Sequence, residues 1–199
     1  MTANQLTTMK RGWWSNWPSL KVVDLRSNSL KEIHSVLDFL RPFAHNLQSL
    51  HLDHNAIAST NTDTHVFPFP RLTSLTLSFN HIQHVVGAPG QEWPSLRSLD
   101  LSHNALTVIP MAMLSRARSL EDLRLAGNPL ADPTFNVRPL LASLPHLRSL
   151  NLDDCGIDRI SQQTLGVVIK VAGYGVQMSF LFIYSFTLRW SNCRCATTL

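Results

Sequence analysis

Residues 96–106 read LRSLDLSHNAL, and they decide the fold because they recur. The same eleven-position frame, LxxLxLxxNxL, fits LKVVDLRSNSL from Leu20, LQSLHLDHNAI from Leu47, LTSLTLSFNHI from Leu72, LEDLRLAGNPL from Leu120 and LRSLNLDDCGI from Leu147. Successive starts are 27, 25, 24, 24 and 27 residues apart. A period of this length marks one supersecondary unit stacked on copies of itself, each unable to bury its apolar side alone. Inside the frame, x-L-x-L-x alternates with period 2, which predicts a short strand with its leucines facing one way and the residues between them facing the other. Stacked in parallel about 4.8 Å apart, such strands bury a continuous leucine core.

The ninth position of the frame holds Asn28, Asn55, Asn80, Asn104 and Asn128, with Cys155 in the sixth copy. A short amide placed where the chain leaves the strand can satisfy backbone groups that the bend leaves unpaired, so these residues are expected to form a buried ladder. Cys155 reads as a small buried spacer in that ladder rather than a reactive thiol. On these six in-phase motifs the chain resembles the leucine-rich repeat family over roughly residues 4–165. The resemblance implies an α/β fold: a right-handed, curved solenoid with one short parallel strand per repeat on its concave face and mixed helix and loop returns on the convex side. It also implies a non-enzymatic module that binds a protein partner on the concave face.

The returns differ. After Leu30, the set Ile33, Val36, Leu37 and Leu40 has helical spacing, with Pro42 ending it. After Leu130, Asp132 and Pro133 read as cap and first turn of a second helix with Leu140, Leu141 and Leu144 inward. The returns after Ile57 and Ile82 are broken by proline and glycine and read as loops. Proline precedes the first leucine by two residues at positions 18, 70, 94 and 145, where the chain enters the strand.

Three segments follow from the period. Residues 20–165 hold six repeats. Residues 1–19 read as a partial repeat or cap, because Asn4, Leu6 and Met9 share the spacing of Asn28, Leu30 and Ile33, 24 residues later. Trp13, Trp14 and Trp17 would lie in its return and lid the first full coil. Residues 166–199 read in one of three ways. Val171, Tyr174, Val176, Ser179 and Leu181 keep the frame of a decayed seventh repeat. The uncharged stretch 171–188 just reaches the length of a membrane span, with Cys193 and Cys195 open to acylation. The loss of leucine and asparagine also fits an aberrant tail, such as a translated intron, or a truncated isoform or fragment of a larger repeat protein.

No phosphate loop, nucleophile elbow or metal-binding histidine frame occurs, so no catalytic residue, cofactor or metal site is expected. Three cysteines without a disulfide framework point to a reducing, cytoplasmic setting, a membrane anchor through 171–188 being the alternative. The partner-binding candidates are the non-leucine strand positions: Arg26, His51, Asp53, His54, Phe79, Asp100, His103 and Arg124. Arg26 is expected to pair with Asp53, Asp100 with Arg124, and Glu121 with both Arg97 and Arg148. Ser102 is expected to face solvent. These positions carry more acidic than basic residues, which disfavours a nucleic-acid groove despite the net charge of +4. Phe79, flanked by His54 and His103 beside a floor of Ser49, Ser74 and Ser98, is the candidate anchor, unless its ring folds over its own turn against His81 or Val85.

Overall fold

The computed structural model describes residues 5–8, 19–58, 69–85, 92–130 and 138–156. Among these residues, six three-residue strands run parallel in one sheet, in chain order: β1 (Val22–Asp24), β2 (Ser49–His51), β3 (Ser74–Thr76), β4 (Ser98–Asp100), β5 (Asp122–Arg124) and β6 (Ser149–Asn151). Each copy of the frame meets the next residue for residue, as in Val23↔Leu50, Leu50↔Leu75 and Leu75↔Leu99. The result is an α/β leucine-rich-repeat solenoid, in which every turn of the chain contributes one strand and one return.

The leucines at positions 4 and 6 of the frame build the core. Leu50, Leu52, Leu99, Leu101, Leu123 and Leu125 have no measurable exposure, and Leu150 and Leu152 are also buried. Each fully buried side chain contributes about 1.5–3 kcal/mol relative to an exposed one. The entry to each of β2 to β6 is a turn, closed for example by Leu72 N–H on the Phe69 carbonyl and Leu96 N–H on the Trp93 carbonyl. Pro70 and Pro94 sit at the second position of those turns, where a fixed φ helps and no N–H is needed. The residue before each proline, Phe69 or Trp93, is buried and closes the core at that corner.

α1 (Ile33–Leu40) forms as its spacing predicts, with Ile33, Val36, Leu37 and Leu40 buried. The helix ends at Leu40, ahead of Pro42 as expected, and a 3₁₀ turn, Arg41–Phe43, follows with Phe43 buried. α2 (Met111–Leu114) is a single helical turn in a 24-residue repeat whose sequence gave no helical signal of its own. α3 (Arg138–Ser143) is the expected second helix, with Leu140 and Leu144 buried and Leu141 only half-buried. Asp132 and Pro133, the loop stretches 59–68 and 86–91, the three N-terminal tryptophans and everything after Gly156 lie outside the described residues.

Candidate functional site

The asparagine ladder fixes where the exposed face begins. Asn104 is 8% exposed; its Oδ1 accepts Ile82 N–H at 3.0 Å, and its Nδ2 donates to the carbonyls of Leu77, Leu101 and Ser102. Asn55, Asn80 and Asn128 repeat the pattern, each accepting from the previous coil at 3.0–3.1 Å. Asn28 does the same for Leu6, whose carbonyl in turn accepts Ser29 N–H. Cys155 keeps the donor half only: its thiol reaches the Leu125 carbonyl at 3.2 Å, and burial raises its pKa. Leu130 N–H, which would meet an asparagine there, turns to the carbonyl of Asn128 at 2.8 Å.

The exposed side of the sheet is built from registered columns. Ser49, Ser74 and Ser98 align as the expected floor of small side chains. The central column runs Asp24, His51, Thr76, Asp100, Arg124 and Asn151. Position 7 departs from expectation. Asp53, Ser78 and Ser102 are all buried, Ser102 at 8% exposure, so Ser102 does not face solvent. The strand already ends at Asp100, and the period-2 rule does not extend into the bend beyond it.

Two of the expected ion pairs do not form. Arg26 turns back onto Asp24 of its own repeat, Nη2 to Oδ2 at 2.7 Å, and Arg124 pairs with Asp122 at 2.9 Å. The acceptors across the columns are already engaged. Asp53 receives Ser78 N–H at 3.0 Å, the Ser78 hydroxyl at 2.9 Å and the Thr76 hydroxyl. Asp100 caps Ser102 N–H at 2.9 Å. The bidentate Arg26 contact holds the Asp24 carboxyl at about 2, below its ordinary 3.8. Glu121 does sit between Arg97 at 2.7 Å and Arg148 at 3.5 Å. Both arginines are largely exposed, so these pairs contribute only about 0–1 kcal/mol.

His51 Nδ1 lies 3.1 Å from Thr76 Oγ1. Because the Thr76 hydroxyl donates its hydrogen to Asp53, the same oxygen accepts from His51, so Nδ1 carries the proton. His51, Thr76 and Asp53 thus form one directed chain from the sheet face into the bend.

Position 8 was the least legible in sequence. Ser27, His54, Phe79, His103 and Asp154 all have φ between 52° and 55°, and Gly127, in the same column, has φ 66°. This left-handed turn costs a non-glycine residue about 1–2 kcal/mol. From Ser27 to Gly127 it aims the N–H at the next coil, as in His54 N–H to the Ser78 carbonyl and Phe79 N–H to that of Ser102. It also brings three rings into one stack just past the strand ends. His54 and Phe79 lie 4.4 Å apart at 7°, and Phe79 and His103 lie 4.3 Å apart at 16°. Phe79 stays 46% exposed, and its ring packs between the two imidazoles rather than over its own turn. Next to His103 in the column comes Gly127, over whose backbone the His103 ring leans.

Among the described residues there is no group of three or more His, Cys, Asp or Glu side chains able to hold a metal ion, and no helix long and apolar enough to cross a membrane. The structure brings His54, Phe79 and His103 together, and separately His51 with Asp53; Arg26, Asp100 and Arg124 stay with their own repeats.

Comparison with known proteins agrees with this geometry. Human leucine-rich repeat- and IQ domain-containing protein 1 is 39% identical over 84 residues, 41% of this chain and 5% of that protein. Human podocan-like protein 1 is 30% identical over 115 residues, covering 57% of this chain and 21% of the relative. Bovine tubulin-specific chaperone E is 29% identical over 159 residues, 78% of this chain and 29% of the chaperone. The chain thus spans less than a third of the length of each of these curated relatives. In fold it is similar to the TLR13–ssRNA13 complex structure, with TM-score 0.56 and 24% identity over 75% of this chain and 20% of that one. It is also similar to a leucine-rich-repeat protein of Leptospira interrogans, with TM-score 0.51 and 22% identity over 67% and 37% of the two chains. The Leucine rich repeat family model matches residues 1–57 and 70–130, and a second model of the same description matches 143–158. With its repeats, strands and ladder matched over more than half its length, the chain belongs to the leucine-rich repeat family.

Proposed function

We propose that this chain is a non-enzymatic protein-binding module whose partner docks across the exposed sheet face, with the His54–Phe79–His103 stack as its anchor. One observation carries the reading: a phenylalanine that is 46% exposed is nevertheless stacked between two imidazole rings. Interfaces concentrate their energy in aromatic side chains ringed by polar groups, and a ring already stacked has less entropy to lose on binding. The aligned serines beside it allow close approach of a partner's backbone. The cysteine usage supports a reducing, cytoplasmic setting. The membrane-tethered alternative rests on residues 171–188, outside the described residues.

A photo-crosslinking amino acid placed at Phe79, compared with one at Val108, tests the site. Val108 is as exposed, at 56%, but lies on a return. A discrete protein adduct from the Phe79 position alone, competed by unlabelled wild-type chain and not by F79A, is the expected result. Adducts from Val108 alone would move the site to the other side of the coil.

A further inference from the structure

The two ends of the strands carry opposite charge. Position 2 of the frame, where the chain enters each strand, runs Lys21, Gln48, Thr73, Arg97, Glu121 and Arg148. Its backbone is one continuous line. Gln48 N–H donates to the Lys21 carbonyl at 2.7 Å, Thr73 to Gln48 at 2.8 Å, Arg97 to Thr73 at 2.9 Å, Glu121 to Arg97 at 2.8 Å and Arg148 to Glu121 at 2.8 Å. Successive members therefore sit one strand spacing apart, about 4.8 Å. Just ahead of this line the entry turns add Arg71, between Phe69 and Leu72, and Arg118, between Ala117 and Leu120. Adjacent turns touch, since the Ser119 hydroxyl donates to the Pro94 carbonyl at 2.7 Å.

Among the described residues, position 2 and these turns hold five bases, all exposed, and one acid, Glu121. Glu92 and Arg116, one residue outside the turns, offset each other in charge. Positions 5 to 8, at the far end of the strands, reverse the balance: five acids and two bases, Arg26 and Arg124, each tied to an aspartate of its own repeat.

Which charge a partner meets is decided locally. At physiological salt, exposed charges are screened over about 8 Å. Neighbours along position 2 lie inside that distance and act together, whereas position 5 is three residues, about 10 Å, further along the strand. Glu121 is neutralised within the rim by Arg97 at 2.7 Å and Arg148 at 3.5 Å. Lys21, Arg71 and Arg118 have no ion-pair partner among the described residues. The entry rim is thus a row of cations that calls for an anion.

The rings of this corner decide the kind of anion. Single-stranded nucleic acid stacks its bases on exposed aromatic faces beside a basic track. Phe43, Phe69 and Trp93, the aromatic residues at these turns, are all buried. A duplex, whose major groove alone is about 12 Å wide, would also overlie Asp24, Asp100 and Asp154. An extended peptide is narrow enough for the rim and needs no stacking platform. We propose that the entry rim docks an acidic, extended segment of a partner protein, its carboxylates pairing with Lys21, Arg71, Arg97 and Arg118 as it crosses the coils. This site does not depend on the ring stack, which lies at the other end of the strands.

Fluorescence anisotropy on the full-length chain tests the rim, with a labelled octaglutamate peptide and a labelled uridine octanucleotide at about 0.15 M salt. Octaglutamate is expected to bind at least tenfold more tightly than the octanucleotide. R71E/R118E should weaken octaglutamate at least tenfold, because both side chains sit in the rim. K31E/R41E makes the same change of net charge on either side of α1, where both residues are exposed, and should change binding less than twofold. If melting shows R71E/R118E unfolded, R71Q/R118Q, which removes the charges without reversing them, carries the same comparison against K31Q/R41Q. Equal losses in the two pairs would reduce the effect to net charge and overturn the site. Tighter binding of the octanucleotide would assign the rim to nucleic acid and overturn the proposal, as would no octaglutamate binding up to about 1 mM.

Discussion

The His103 ring occupies the space that a side chain at Gly127 would need: its Cε1 lies 2.9 Å and its Cγ 3.1 Å from where the Cβ would stand. Gly127 is therefore favoured by its φ of 66°, which other residues of the column tolerate at a cost, and required for the room it leaves. G127A is expected to lose about 1–3 kcal/mol in a denaturant titration, from left-handed strain and displacement of the ring. Adding H103A should recover the steric part and leave the strain. A double variant no more stable than G127A alone would show that the ring is not what the glycine accommodates.

Phe79 separates stability from binding. Asparagine tolerates the left-handed backbone better than phenylalanine, gaining part of about 1–2 kcal/mol, while loss of the two ring contacts costs about 0.5–1.5 kcal/mol each. F79N should therefore melt within a few degrees of wild type. Its affinity for the partner captured through Phe79 should fall by about 2 kcal/mol or more. A variant that melts normally and binds normally would remove Phe79 from the interface.

The ladder predicts a ranking. N104A orphans Ile82 N–H and three carbonyls, so it should cost about 1–3 kcal/mol or more. S102A leaves the Asp100 cap on the backbone intact and should cost well under half as much. C155N should gain up to about 1 kcal/mol by offering Leu130 N–H the acceptor that the other coils have. Urea midpoints at constant m-value check all three.

Asp24 gives an acid-side signature. Its folded pKa of about 2 lies below the ordinary 3.8, so the Arg26 contact contributes stability above pH 3.8 that is lost as pH falls toward 2. Carboxyl NMR should place Asp24 near 2 in the wild type and back near its ordinary value in R26A. An unchanged titration in R26A would show that the guanidinium is not the cause.

The directed chain at His51 fixes a tautomer. Long-range proton–nitrogen NMR at neutral pH should find the proton on Nδ1, and T76V should release it while T76S retains it. A proton on Nε2 in the wild type would reverse the direction assigned to the Thr76 hydroxyl.

The strands, the core leucines and the ladder were readable because each depends on a residue type recurring at a fixed interval, and six copies make the interval unmistakable. α1 was readable from Ile33, Val36, Leu37 and Leu40, whereas α2 is a single turn, too short to show a helical period. The ion pairs were misread because column neighbours are close, yet competition for Asp53 and Asp100 comes from hydroxyls and N–H groups that a column diagram omits. The ring stack was visible only as three residues in one column. What makes it a stack is a left-handed φ shared by Ser, His, Phe and Asp, for which composition supplied only the hint of Gly127.

The ladder also has a direction. Asn55 bonds to Leu25, Leu30, Leu52 and Asp53, and Asn128 to Leu101, Leu106, Leu125 and Ala126: every partner precedes its asparagine in the chain. Nothing an asparagine needs is still to be synthesised when it leaves the ribosome. Each coil can lock onto the one already made, so the solenoid can be wound as fast as it is translated, with only the newest leucine face open to misassociation at any moment.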